Sequence, residues 1–509
     1  MAAGDPYALA IFGFLAVTLT IGIITIRFVR KSGKNFIVAG RSLPYFMVGT
    51  MFAAAAIDGN SSLGSLGLIY QFGIWAGVII PIGVGLTQFQ LGALFAKRLN
   101  KMKMLTFVDF FYRRYGHTTE VSSALLMLAS FTILLAGNFA ATGFILSSVL
   151  GIDYLWAILL GSTLVLGYAL TGGLFANAYT DIFQIYLGIV GLWIAAIFFL
   201  GGYSGIEFSQ IVESTPPTYI DLSGLTDPAN GAYLNWAGLI SLTVANTIAL
   251  DFMERIFAAK NPEHARRGAF MGGGLTLITV PPVAILGIVA LYLIPNSPDP
   301  FAMFPQLAIN HMPFWLGAIL FMAVAGASMS TANGALLAMG SVFARNILHR
   351  KIMKGLMKKE GLNDRSLLKA TRVFVILVMI GGMLLGYSVP APGVLVILTF
   401  DLVFSGLFAC LLFGVFWKKA NAAAAMACIA VGVALRIGLF FLVPPEYAGL
   451  DTLIPPVISA ATFVGVAYAT QKRYPSRHEV LDYVPTDQEV ERGLDIESLE
   501  KSGFKKSSS

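Results

Sequence analysis

Thirteen apolar runs of membrane-spanning length divide this chain, and no water-soluble fold can bury so many. They lie at about 8–28, 45–70, 74–96, 121–149, 154–171, 179–202, 234–257, 268–294, 314–343, 370–388, 392–416, 421–443 and 452–470. An α-helix needs roughly 20 apolar residues to cross the hydrocarbon, so each run reads as one span. Over 509 residues the chain is 57% hydrophobic and 12% charged, with mean hydropathy +0.76, which leaves no room for a soluble domain. The expected class is an all-α, multi-pass plasma-membrane protein, of the bacterial inner-membrane kind.

Basic residues set the orientation. Arg27, Arg30, Lys31 and Lys34 follow the first run, and Lys97, Arg98, Lys101 and Lys103 follow the third. Lys260, Arg266 and Arg267 follow the seventh, the loop from Arg345 to Arg372 is strongly basic, and Lys418, Lys419, Lys472 and Arg473 continue the pattern. The alternate loops lack them: 203–233 carries Glu207, Glu213, Asp221 and Asp227 with no Lys or Arg. The pattern gives an outside N-terminus and an inside C-terminus. Residues 105–115 read as a short amphipathic helix anchored at the headgroups, and 471–509 as a mobile polar tail.

Two interruptions stand out within the runs. The ninth carries Ala327, Ser330 and Thr331 at i, i+3 and i+4, so one carbonyl and two hydroxyls share a face. Hard oxygens of this kind suit a small cation that has shed its water. At matching depth the second run contains Asp58-Gly59-Asn60-Ser61-Ser62, with Gly64, Ser65 and Gly67 beyond. Each Gly costs about 1 kcal/mol in a helix, and short polar side chains compete for the backbone. Two readings stand side by side: an unwound stretch lining a cavity, or close helix packing through small residues. Asn246-Thr247, followed by Asp251, Glu254 and Arg255, is the corresponding break in the seventh run. The breaks lie five runs apart, as two inverted five-helix halves require.

Ionisable residues at membrane depth need a partner or a task. Asp58, Asp181, Asp251, Asp401 and Arg436 are the ones to explain. Asp401 and Arg436 lie at depths differing by about 3 Å at 1.5 Å per residue, which predicts a structural ion pair; the alternative is that Asp401 faces the substrate cavity. Enzyme signatures are missing. His117, His264, His311, His349 and His478 all fall in loops or the tail, and there is no His-Glu-x-x-His, Gly-x-Ser-x-Gly or phosphate-binding loop. Cys410 and Cys428 sit in apolar runs and form no metal-ligand spacing. The net charge of +7 gathers at helix ends and is no nucleic-acid signal. Neither an organic cofactor nor an obligate protein partner is expected, only lipid, solute and ion.

Several segments together resemble the sodium/solute symporter family: Val38-Ala-Gly-Arg-Ser-Leu-Pro44, Leu105 through Gly116, Tyr168-Ala-Leu-Thr-Gly-Gly-Leu, Tyr179-Thr-Asp181-Ile-Phe-Gln184 and the ninth-run cluster. Trp75 to Lys97, Phe343-Ala-Arg-Asn-Ile347 and Asp401-Leu-Val403 resemble its choline-transporter branch. The resemblance implies a LeuT-type core of two inverted five-helix repeats. Residues 1–40 would then form the first helix and linker, 41–203 and 204–418 the two repeats, 419–470 two peripheral helices, and 471–509 the tail. It also implies a sodium site made by Ala56, Gly59, Ala327, Ser330 and Thr331. Asp181 would mark either a second sodium site or the exit path; Asn333 and Gly334, where other members carry serines, weaken the second site. Asp58, Asn60, Ser61, Asn138 and Asn246 would line the substrate cavity. Most of the six tryptophans, Trp75, Trp156, Trp193, Trp236, Trp315 and Trp417, map to helix ends, so an aromatic cage for choline is not expected. The implied function is sodium-coupled symport of a small polar solute, such as an amino acid or short carboxylate, by alternating access. The competing readings are a proton-coupled carrier of the same fold, a channel, or a sensor built on a transporter fold.

Overall fold

The computed structural model describes residues 6–30, 32–357, 362–486 and 489. Lys31 and most of the tail lie outside the described residues. The described chain is helical throughout, with one isolated backbone bridge and no strand. Ten of its helices are long and apolar enough to cross a membrane, or eleven when the bent pair Ala232–Ile248 and Leu250–Ala258 counts as one. Tyr45–Ala56 and Tyr154–Gly167 are shorter apolar helices.

Phe314–Val342 forms the centre. It is buried along nearly all its length and packs on Tyr154–Leu200, His117–Leu150 and Asp364–Ser388. The most exposed spans, with only about a third of their residues buried, are Pro6–Val29, Ala422–Leu442 and Leu450–Thr470.

The first interruption is narrower than the sequence suggests. Only Ile57 and Asp58 leave helical geometry between Tyr45–Ala56 and Gly59–Phe72. The Asp58 carboxylate accepts from the Ser61 amide at 2.8 Å while Ser61 Oγ accepts from the Asp58 amide at 2.9 Å, so a capping box restarts the helix at once. The glycines beyond serve packing instead. A Cβ on Gly64 would stand 2.4 Å from the Gly393 Cα, and one on Gly67 would stand 2.7 Å from the Phe301 ring.

The second interruption follows Ala232–Val244. A tight turn over Ala245–Ile248 and an extended Ala249 lead into Leu250–Ala258, bent by 45°. Freed backbone groups must be satisfied inside the protein at this depth. Helix Ile74–Gln90 supplies partners to both breaks. Thr87 Oγ1 lies 2.6 and 2.8 Å from the Leu242 and Thr243 carbonyls, Gln90 donates to Thr247 Oγ1 at 2.9 Å, and Gln88 donates to the Phe52 carbonyl at 3.1 Å. At the far end of the same two half-helices the Leu43 amide donates to Ala258 O at 3.0 Å, and the Lys260 amide donates to Leu43 O at 2.9 Å.

Four sequence expectations change. The sixth run begins near Ala169 rather than 179, because Tyr154–Leu200 keeps helical hydrogen bonding across a bend at Gly173. Gly173 has φ +55° and its missing Cβ would meet the Phe36 carbonyl at 2.4 Å, so only glycine fits. Residues 105–115 are not a headgroup anchor. Helix Val108–Tyr115 is buried by protein, with Arg113 and Arg114 each 1% exposed. Arg114 donates to the Gly414 and Trp417 carbonyls at 2.9 and 3.1 Å, neutralising the C-terminal end of Pro392–Phe416. Lastly, the basic stretch after the ninth run is not a solvated loop: it winds on as helix to Leu356 in wider turns. Arg345 and Arg350 are buried there against Asp109, at 2.9 and 2.7 Å, and Arg350 also pairs with Glu120. The tail is partly packed as well: the turn His478–Asp482 sits against Val108–Tyr115, with Val480 1% exposed.

Candidate functional site

The two breaks face one small central cavity of ≈ 20 Å³. Ala55, Ala56, Asp58 and Ser61 line it from the first broken span, and Asn246, Asp251 and Phe252 from the second. Ile80, Val84, Leu134, Val396 and Phe400 complete the wall. Both acids sit where a helix restarts. Asp58 is the N-cap of Gly59–Phe72, and Asp251 is in the first turn of Leu250–Ala258, where the helix dipole favours negative charge. Arg255 donates to Asp251 at 3.1 Å and to the Met51 carbonyl at 2.9 Å.

Of the five residues expected to line a substrate cavity, Asp58, Ser61 and Asn246 do so. Asn60 and Asn138 are not among the lining residues. Asn60 turns toward the neighbouring helix, where it donates to Leu134 O at 3.2 Å and fills the space beside Gly137. Asn138 donates to the Leu134 carbonyl one turn back, and its side chain approaches the Asp58 carboxylate from outside the wall.

The expected cation ligands divide into two neighbouring groups. Thr331 Oγ1 lies 3.4 Å from the Ala54 carbonyl, which brings the ninth span against the C-terminal end of Tyr45–Ala56. The Ala56 carbonyl accepts from Ser61 Oγ at 2.7 Å. Gly59 lies so close to Phe314–Val342 that a Cβ would stand 1.8 Å from Ser328 Oγ. That hydroxyl is buried and has no hydrogen-bond partner among the described residues. Ser330 points elsewhere: its hydroxyl donates to Asp181 rather than meeting Ala56 or Gly59. Asp181 also accepts from Asn177 at 3.3 Å, and Asn177 accepts from Asn333 at 2.9 Å. Further along, Ser341 donates to Glu254 at 3.2 Å. These residues form a buried polar file beside the central helix.

Asp401 does not line the cavity. Arg436 lies 3.2 Å from it and 2.9 Å from Asp451, while Ser241 and Thr452 donate to Asp401 at 2.7 and 2.8 Å.

The sequence reading missed Ser328, Phe252 and Phe400. Apolar residues in an apolar span carry no signal, and Ser328 lies one residue outside the i, i+3, i+4 face. The role of Asp251 was visible only as an acid in need of a partner.

Two interrupted helices facing a central cavity are the architecture of a secondary transporter. A solved Na+-coupled sialic acid symporter, in its substrate-bound outward-open state, superposes with TM-score 0.76 at 17% identity, covering 93% of this chain and 99% of that one. MhsT in complex with L-phenylalanine superposes with TM-score 0.53 at 15% identity, covering 84% and 98%. At these identities the likeness is one of fold. The profile of the Sodium:solute symporter family matches residues 36–432, and the chain belongs to that family. The high-affinity choline transporter 1 of Caenorhabditis elegans is 27% identical over 431 residues, covering 79% of this chain and 71% of that protein. The sodium/glucose cotransporter of Vibrio parahaemolyticus is 24% identical over 481 residues, covering 87% and 85%. The protein is a multi-pass membrane transporter that works by sodium-coupled symport.

Proposed function

We propose that sodium binds where the ninth span meets the first break, and that the solute binds in the adjoining cavity. The ligands are the Ala56, Gly59 and Ala327 carbonyls with the Ser328 and Thr331 hydroxyls. The orphaned Ser328 Oγ beside Gly59 is the observation that carries this assignment, since a buried hydroxyl without a partner costs about 1–3 kcal/mol. A cation there would give it one. Ser330, bonded to Asp181, marks the next station. The file Asp181, Asn177, Asn333 and Glu254 is the proposed sodium exit path, with no second resident sodium.

Counting the interrupted helix pair 45–72 and the short helix 154–167 gives thirteen spans, N-terminus outside and C-terminus inside, in a plasma membrane. The core is then two five-helix repeats, 41–203 and 204–418, and the basic ends of the spans support that orientation. Sodium loading fixes the first break, which completes the cavity wall at Ala56, Asp58 and Ser61. One inward charge gains about 2.3 kcal/mol per 100 mV, and a tenfold sodium gradient adds about 1.4 kcal/mol. One sodium at 100 mV thus sustains a solute gradient of several hundredfold for a neutral cargo.

The test is sodium-dependent uptake in proteoliposomes. Thr331→Ala and Ser328→Ala should each raise the sodium concentration for half-maximal uptake by about five- to tenfold, while membrane insertion is unchanged. Uptake driven by a pH gradient and indifferent to sodium would favour the proton-coupled reading, with Asp181 as carrier.

A further inference from the structure

We propose that Arg365, Lys369 and Arg372, at the N-terminal end of helix Asp364–Ser388, bind the headgroup of an anionic phospholipid whose acyl chains lie along the same helix. The inference is independent of where sodium and solute bind. The three residues recur at i, i+4 and i+7, so they share one helix face. That face continues as Val373, Leu377, Ile380 and Leu384, which are between 42% and 60% exposed. Apolar side chains so exposed on a 25-residue spanning helix lie against lipid. At 1.5 Å per residue Arg372 stands about 24 Å from the far end at Ser388. The hydrocarbon is about 30 Å thick, so Arg372 lies near its edge, where a lipid phosphate is within reach. Arg365 and Lys369 follow it into the headgroup layer.

An arginine at this depth needs a counter-charge. The Arg372 guanidinium lies over the Phe36 ring, 5.3 Å from its centroid, and its Nε is buried with no hydrogen-bond partner among the described residues. No described carboxylate pairs with Arg365, Lys369 or Arg372. Asp364, the acid beside them in sequence, is engaged elsewhere: its Oδ2 accepts from the Gly33 amide at 2.9 Å. Basic residues at other helix ends do have acids. Lys97 and Arg267 share Glu263 at 2.6 and 3.2 Å, and Arg345 and Arg350 share Asp109 at 2.9 and 2.7 Å. A phosphodiester supplies the missing acceptor, and the arginine fork matches its paired oxygens. Basic pockets beside spanning helices hold anionic headgroups in this way, whereas a zwitterionic headgroup brings an ammonium that the same face repels. Phe36 belongs to helix Gly33–Val38, which leads toward the first broken span at Tyr45. A headgroup on Arg372 therefore braces the joint that Gly33 and Asp364 already stitch.

The test is thermal unfolding of the delipidated full-length protein in detergent, titrated with phosphatidylglycerol, phosphatidylcholine or inorganic phosphate. Phosphatidylglycerol should raise the midpoint, and neither phosphatidylcholine nor phosphate should. Lys369→Gln and Arg372→Gln should each raise the lipid concentration for half the shift by about fivefold, and Arg372→Lys should recover part of that loss. Lys97→Gln, at another helix end, should respond as the wild type does. Lys369 is exposed, so its variant reads the site even where Arg372→Gln does not fold. No response to phosphatidylglycerol, an equal response to phosphatidylcholine, or a shift reproduced by inorganic phosphate overturns the proposal. So does an undiminished response in a folded Lys369→Gln, or an equal loss in Lys97→Gln.

Discussion

Asp109→Asn offers the sharpest test of how the region between the third and fourth spans is held. The Asp109 carboxylate accepts from Arg345 at 2.9 and 3.2 Å, from Arg350 at 2.7 Å and from Asn346 at 3.0 Å, and it is 0% exposed. Asparagine keeps the shape and removes the charge. Breaking a buried pair by deleting one partner costs about 3–5 kcal/mol. Glu120 still faces Arg350, so the low end, about 3 kcal/mol, is expected. At about 2.1 cal/mol/K of unfolding entropy per residue, a chain of this length loses about 3 °C in melting midpoint. The pH dependence has a definite sign. Burial alone would raise this carboxyl, but Arg345, Arg350 and Arg113 overcome it and hold the pKa well below the ordinary 3.8. A depressed folded pKa contributes stability that is complete above the unfolded value and is lost as pH falls toward the folded one. The gap between wild type and Asp109→Asn, read by thermal unfolding in detergent, should therefore be constant from about pH 8 to pH 5 and close below about pH 4. A gap under about 1 °C at neutral pH, or one that widens on acidification, would refute the reasoning.

Gly64→Ala should lower the melting midpoint through about 1–3 kcal/mol of overpacking, because its Cβ would strike the Gly393 backbone at 2.4 Å. Gly274→Ala, where a Cβ meets nothing within 4 Å, should match or exceed the wild type in the same assay. Arg436→Met strands Asp401 and should cost about 3 kcal/mol; adding Asp401→Asn should restore part of the loss. A double-mutant cycle with coupling below about 0.5 kcal/mol would deny that the pair matters.

Much of this architecture is legible in the sequence, for physical reasons that differ by residue. The apolar runs mark the helices because hydrocarbon forces every backbone group to bond within its own segment. Asp58 marks the first interruption because a short carboxylate competes for backbone amides. The extent of that interruption was not legible: Gly64 and Gly67 read the same whether they loosen a helix or let another approach it. Which way Asn60 and Asn138 face was hidden too, since one residue turns a helical side chain by about 100°. Phe252 and Phe400 carry no signal among so many apolar neighbours. The burial of Arg113, Arg114 and Arg345 was not legible, because their partners lie hundreds of positions away or are main-chain carbonyls.

The backbone pairing of Leu43 with Ala258 and Lys260 has a mechanical consequence. The two half-helices beneath the cavity are laced at their far ends, and neither can swing away without tearing its neighbour's hydrogen bonds. Discharge on that side calls for a tilt of both as one plate. A cross-link between positions 43 and 259 would then leave the working stroke intact, whereas the same tether from either half-helix to the ninth span would stall it.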